Sequence, residues 1–361
     1  MFLAEFDYPL PPELIAQRPL EERDASRMMV LDRAAATFSD RGFRELPRLL
    51  HPGDLLVFNN TKVFPARLLG HRRGVTAQPI GKLNPAARKH LTGEVELMLT
   101  RQVSEGEWEG LVHPGRKIRT GEVLVFGDGD LVAEIIGRGE FGLRRVRFHA
   151  REGSIDGAID RFGHIPLPPY IRRPDESADR ATYQTVYAKV RGAVAAPTAG
   201  FHFTEHILGE LRSRNIEACE ITLHVGLGTF QPVRAEQIEE HQMDAERYEI
   251  WEAAATAINR ALDDRRRIVA VGTTSVRTLE HVARAHDGRV MASRGETNLF
   301  IAPGFQFRVV SAMLTNFHLP KSTLLLLVSA FAGKELTLRA YGHAISERYR
   351  FYSYGDCMLI V

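Results

Sequence analysis

Cysteine is scarce in this chain, with two in 361 residues. Cys219 and Cys357 lie far apart and form no paired metal-ligand spacing, which fits a reducing cytosol better than a secreted, disulfide-stapled scaffold. Long apolar runs are missing as well. The longest candidate, Thr323 to Ala332, falls well short of the ~20 residues that cross a bilayer. The opening stretch MFLAEFDYPLPPEL carries acids where a secretory signal carries positive charge, so a cytoplasmic protein without membrane contact is expected. Nor does one sign of charge dominate. Forty-seven basic residues against forty-five acidic ones give +2, so any nucleic-acid contact has to come from a local patch.

The common nucleotide and metal signatures are absent too. HVGLGTF supplies Gly226 and Gly228, but Gln231 occupies the third glycine position of a dinucleotide fingerprint. Lys321-Ser322 imitates the end of a P-loop with no glycine in the five residues before it. HExxH and CxxC do not occur, and His241 and Glu246, five apart on an expected helix, fall off a common face. A metal-dependent hydrolase is left with scattered ligands only. No internal repeat is present.

What the chain does have is length for two cores and a change of pattern along it. From Leu55 to Phe148, short β segments alternate with glycines: LLVF (55–58), EVELML (94–99), WEGLV (108–112), EVLVF (122–126), LVAEII (131–136) and LRRVRF (143–148). That spacing suggests a small barrel or sandwich. Beyond about Asp156, helical stretches at 204–215, 252–265 and 275–286 alternate with apolar strands at 216–225 and 267–271, the mark of an α/β layer. The N-terminal segment, rich in proline and charge, cannot form a core of its own. The fold class expected is α/β: a larger α/β domain from 1–62 and 157–361, with a β-barrel inserted at 63–156.

Five clusters gather glycines, hydroxyls or titratable rings: PTAGFHFT (197–204), TLHVGLGTFQPV (222–233), VAVGTTSVRTLE (269–280), TNFHLPKSTLL (315–325) and RFYSYGDCML (350–359). In the third, a strand ends at Gly272 and Thr273, Thr274 and Ser275 precede a helix. Free N–H groups there would bind a carboxylate or phosphate, or the hydroxyls simply cap the helix. Arg277 follows in the first turn, where a cation calls for an anion nearby. In PTAGFHFT the strand GAVAA (192–196) leads to a similar corner, which suggests one crevice at the strand carboxyl ends. His202, His224, His241 and His318 all fall in or beside these clusters, which points to a site that moves protons. The segment 71–90 holds five Arg or Lys and no acid. Its Arg72, Arg73, Lys82, Arg88 and Lys89 are either a solvated loop or a contact to a phosphate backbone. Aromatic and apolar residues around Gly355-Asp356 suggest that the tail is docked.

Taken in order, these clusters together with FDYPLPPELIAQRPLEERDASRM (6–28), LLVFNNTKVFPARL (55–68), GHIPLPPYI (163–171), YQTVYA (183–188) and HQMDAE (241–246) closely resemble the S-adenosylmethionine:tRNA ribosyltransferase-isomerases of the queuosine pathway. The resemblance runs over nearly the whole chain. It departs at 71–92, where the basic loop is longer than the family's short turn, and at Cys357, where a small residue is expected.

The resemblance implies an α/β domain with an inserted β-barrel and a reaction in which the ribosyl part of S-adenosylmethionine is transferred to 7-aminomethyl-7-deazaguanine at the tRNA wobble position. Isomerisation gives epoxyqueuosine, and adenine and methionine leave. S-adenosylmethionine is a co-substrate, with no metal or organic cofactor. The sulfonium acidifies the ribose 5′ carbon, so a base of near-neutral pKa could form an ylide there. His224 and His318 are the first candidates for these transfers, then His202 and His241. Phe201, Phe230 and Phe317 could face the sulfonium. Thr198, Gly200, Gly226, Gly228, Thr273, Thr274 and Arg277 would hold the carboxylate or ribose, Asp356 a ribose hydroxyl or the ammonium, and Asn316 and Lys321 ribose or phosphate. A monomer is expected. A metal-dependent hydrolase and a non-catalytic RNA-binding protein are the rival readings.

Overall fold

The computed structural model describes residues 1–73, 93–115, 118–226, 228 and 235–361. Its centre is a sheet of nine strands in the order Ser293–Thr297, Glu246–Ile250, Glu217–Leu223, Leu55–Asn59, Ile268–Val271, Ala312–Asn316, Cys357–Ile360, Arg27–Asp32 and Thr37–Gly42. The four from Glu217–Leu223 to Ala312–Asn316 run parallel. Parallel strands are covered on both faces, and Leu55–Asn59, Ile268–Val271 and Ala312–Asn316 are accordingly buried at every position.

Period-two alternation splits these strands between two cores. Leu55, Val57, Ile268, Ala270 and Met313 face a layer built on the helices Glu252–Asp263, Thr273–Ala285, Thr323–Ala332 and Lys334–Ser346. Leu56, Phe58, Val269, Val271 and Leu314 face the other way, onto Phe43, Leu46 and the helix Glu205–Ser213. Leu3, Phe6 and Leu14 of the N-terminal segment join the first layer, as a stretch unable to make its own core must. The tail is docked: Cys357–Ile360 is an inner strand, antiparallel to Ala312–Asn316 and parallel to Arg27–Asp32.

The second sheet is a closed, antiparallel six-stranded barrel. Arg67–Arg73, Glu94–Ser104, Glu107–His113, Leu143–Ala150, Leu131–Arg138 and Val123–Phe126 pair in that order, and the last returns to the first. Closure needs Gly70, where a Cβ would stand 2.3 Å from the Val125 carbonyl oxygen. The helix Ile155–Phe162, capped by Ser154, contributes Ala158 and Ile159 to the barrel core.

Two local expectations change. The 241–246 segment is not helical, because Glu246 opens the strand Glu246–Ile250. GAVAA does not end a strand of the large sheet either. Val190–Ala193 pairs with Thr61–Val63 in a separate ribbon, and Ala195 makes an isolated bridge to Val225.

Candidate active site

The carboxyl ends of the parallel strands deliver Asn59, His224, Gly272 and Asn316 to one edge of the sheet, where ligands of open α/β folds bind. A cleft opens there, bordered by Thr198, Gly272, Thr273, Thr274, Thr315, Asn316, His318, Ser322, Tyr170, Tyr352 and Ser353. Among the described residues no ionised side chain lines it, and hydroxyls and backbone dipoles set the polarity they give it.

Two helices begin at this cleft, and they differ at their ends. Thr323–Ala332 is capped, its Ser322 Oγ accepting from the Leu325 N–H at 3.2 Å. Thr273–Ala285 starts two residues earlier than its sequence pattern indicates, with Gly272 at φ +87° as a cap that has no side chain to offer. Its leading N–H groups are therefore left for an occupant of the cleft. Asn59 braces this corner from below, donating to the Leu223 carbonyl at 3.0 Å and to Thr274 Oγ1 at 3.2 Å.

His318 is held on several sides. Its Nε2 pairs with Thr315 Oγ1 at 2.8 Å, its N–H donates to Tyr341 Oη at 3.0 Å, and its carbonyl accepts from Tyr8 Oη. Burial lowers the ring pKa to about 3, so the imidazole is neutral at pH 7. Asn316 donates from Nδ2 to the Tyr352 carbonyl at 3.0 Å and leaves Oδ1 buried without a partner. Tyr352 sits at φ +71°, a backbone state that is costly for a bulky residue and clusters at functional sites.

Phe201 and His202 line a second, smaller cleft together with Arg23, Ser26, Tyr354 and Ser353, and Ser353 borders both. His202 is 3 % exposed, with Nδ1 2.7 Å from Ser26 Oγ and Nε2 unpartnered. Burial lowers its pKa to about 3, and the nearby Asn316 side chain partly offsets this.

The remaining expected site residues lie elsewhere. His224 borders neither cleft: its Nδ1 pairs with Thr61 Oγ1 at 2.8 Å, its ring packs where Gly192 has no Cβ, and burial followed by Arg247 lowers its pKa to about 4. His241 packs against Phe300, and burial lowers its pKa too. Arg277 finds its anion inside the protein. Its Nη1 pairs with Glu246, 5 % exposed, and its Nε donates to the Leu299 carbonyl. Glu246 also accepts from the Gly226 N–H, and Gly228 lies beside Asp244. Asp356 accepts from the backbone N–H groups of Arg27 and Arg350, so both oxygens clamp the chain. Lys321 pairs with Asp7 on the surface, and Gly200 is packed under the Tyr187 hydroxyl. Phe317 borders the cleft while its ring packs against Tyr341, Tyr349 and Phe351. Arg72 pairs with Glu122 on the barrel, and Arg73 is exposed. Phe230, Lys82, Arg88 and Lys89 lie outside the described residues.

Sequence reasoning missed Asn59, Tyr170, Thr315, Tyr352 and Ser353. Asn59 carried a signal, a polar residue closing an apolar strand run, and Tyr352 and Ser353 stand in a cluster that was singled out for its aspartate. Among the described residues no three of His, Cys, Asp or Glu are grouped as metal ligands. Among them, too, no helix is long and apolar enough to cross a membrane.

Comparison with known proteins places this cleft in a family. A family model described as "Queuosine biosynthesis protein" matches residues 3–360. The S-adenosylmethionine:tRNA ribosyltransferase-isomerase of Solibacter usitatus is 56 % identical over the full length of both chains, and that of Moorella thermoacetica is 52 % identical over the same extent. The crystal structure of S-adenosylmethionine tRNA ribosyltransferase from Thermotoga maritima is 39 % identical, covers 99 % of this chain and 100 % of its own, and superposes with a TM-score of 0.54. The chain belongs to the queuosine biosynthesis family, that of the S-adenosylmethionine:tRNA ribosyltransferase-isomerases.

Proposed function

We propose that this chain transfers and isomerises the ribosyl moiety of S-adenosylmethionine onto 7-aminomethyl-7-deazaguanine at the wobble position of a tRNA, giving epoxyqueuosine-tRNA and releasing adenine and methionine. The observation that carries the reading is the full-length match to the family. The cleft suits a ligand with one carboxylate and several hydroxyls. The uncapped start of Thr273–Ala285 takes the methionine carboxylate, while Thr198, Thr273 and Thr274 meet hydroxyls. His318, of the four histidines the one that borders this cleft, is the first candidate for a proton transfer at the ribose, although burial makes its ring a weaker base than the near-neutral one expected from the sequence. His224 is the weaker candidate in this arrangement, since its ring is engaged with Thr61 outside the cleft.

S-adenosylmethionine is the co-substrate, and the reaction needs no metal. The protein acts as a monomer in the cytoplasm, and the basic segment from Arg72 and Arg73 onward contributes tRNA contacts. The test is incubation with S-adenosylmethionine and a tRNA bearing the aminomethyl base in the presence of a chelator, following adenine release and the mass of the wobble nucleoside. Adenine together with an epoxyqueuosine product is expected. Salt-sensitive tRNA binding with neither product would favour a binding-only protein, and activity restored by zinc or manganese a metal enzyme.

A further inference from the structure

The two clefts meet at Ser353, and the polar groups around that junction are not satisfied by the protein. Tyr183 Oη, His202 Nε2, Asn316 Oδ1 and Tyr352 Oη are all buried without a hydrogen-bond partner. Buried orphans are few in native proteins; of these, His202, Asn316 and Tyr352 line the two clefts, and the His202 and Asn316 side chains lie within reach of each other at the junction. His202, a neutral ring held through Nδ1 by Ser26, lines the second cleft, whereas Asn316 lines the first.

The second cleft has its own chemistry. Phe201 and Tyr354 present rings with centroids 5.9 Å apart and a 32° tilt, a platform for a flat heteroaromatic group. The Arg23 guanidinium lies 5.9 Å from the Phe201 centroid. Glu21 stands at the rim, exposed and without a hydrogen bond or ion pair among the described residues, whereas its neighbours Glu22 and Asp24 both pair with Arg44.

We propose that this second cleft receives the acceptor base, and that Glu21 reads its guanine-type edge by accepting from the ring N1–H and the exocyclic 2-amino group. A carboxylate offers two acceptors side by side, and a guanine-type edge offers two adjacent donors. An adenine edge sets a donor beside an acceptor and meets only one of the two oxygens. The same geometry therefore assigns S-adenosylmethionine to the larger cleft and brings the aminomethyl group to the junction, where the Asn316 and His202 side chains lie near each other. This inference rests on the function proposed above and adds the residue that selects the base.

The test compares wild type, Glu21→Ala and Glu21→Gln on two tRNAs, one bearing the aminomethyl base and one bearing its counterpart without the 2-amino group. A bidentate contact is worth about 5- to 150-fold in discrimination. Wild type is expected to lose about that factor in kcat/KM on the des-amino tRNA. Glu21→Ala is expected to raise KM for the full tRNA by a similar factor, to stop distinguishing the two tRNAs, and to bind S-adenosylmethionine within twofold of wild type in equilibrium dialysis. Glu21→Gln falls between. Equal discrimination by wild type and Glu21→Ala, or a loss confined to S-adenosylmethionine binding, would overturn the assignment of the cleft. A wild-type enzyme that converts neither tRNA would overturn the proposed function itself and this inference with it.

Discussion

At the scale of single residues, charge and chemistry were easier to read than direction. The sequence placed a cation at Arg277 and rightly required an anion, but the anion is Glu246, thirty-one positions away on a neighbouring strand. Nothing local in VAVGTTSVRTLE reveals that pairing, because long-range contacts leave no trace in spacing. Replacement of Arg277 by Met should accordingly act on stability: it strands a buried carboxylate, at a cost of about 3–5 kcal/mol, and Arg277→Met/Glu246→Leu should recover most of it. Urea unfolding of the three variants measures this, and an unchanged midpoint for the single variant would sink the argument. His318, a titratable ring beside Asn and Thr, borders the cleft, whereas His224 and His241 satisfied the same rule and do not. We expect His318→Gln to lower the rate of adenine release by about 10²- to 10⁴-fold with S-adenosylmethionine affinity retained. A variant within threefold of wild type would move the proton transfer to another group.

At the scale of elements the sequence was legible where periodicity was strong. The barrel strands at 94–104, 107–113, 123–126, 131–138 and 143–150 lie within a few residues of their expected places, because alternation with glycine punctuation is a local property. What failed is what depends on pairing. GAVAA has the composition of a buried strand but joins a two-stranded ribbon, and LLVF, which reads in one run with the barrel strands although the boundary at 62 leaves it in the α/β part, is the middle of the large sheet. Barrel closure is another non-local event, and Gly70 is its weak point. Gly70→Ala forces a methyl against the Val125 carbonyl and the Phe126 ring, and should cost about 1–3 kcal/mol or open the seam between Arg67–Arg73 and Val123–Phe126. Hydrogen exchange of the Val125 amide reads the seam directly, and wild-type protection in the variant would contradict the prediction.

At the scale of the whole molecule, three half- to fully buried imidazoles make stability depend on pH. His202, His224 and His318 have folded pKa values lowered to about 3, 4 and 3, below an unfolded value near 6.5. Their contribution is complete above pH 6.5 and is lost as pH falls from there toward the folded values, because only the unfolded chain takes up protons in that window. Each ring adds up to about 1.4 kcal/mol per pH unit, so urea midpoints should drop steeply between pH 6.5 and 4.5, less so in His318→Gln. A flat profile would refute it. The inner strand Cys357–Ile360 bears on how the protein comes into being. Residues 357–360 fill the gap between strands that lie some forty and more than three hundred positions earlier in the chain. Until they are in place, Arg27–Asp32 and Ala312–Asn316 each show a bare edge. The folding chain is thus open to edge-to-edge pairing with other copies until the strand Cys357–Ile360 docks.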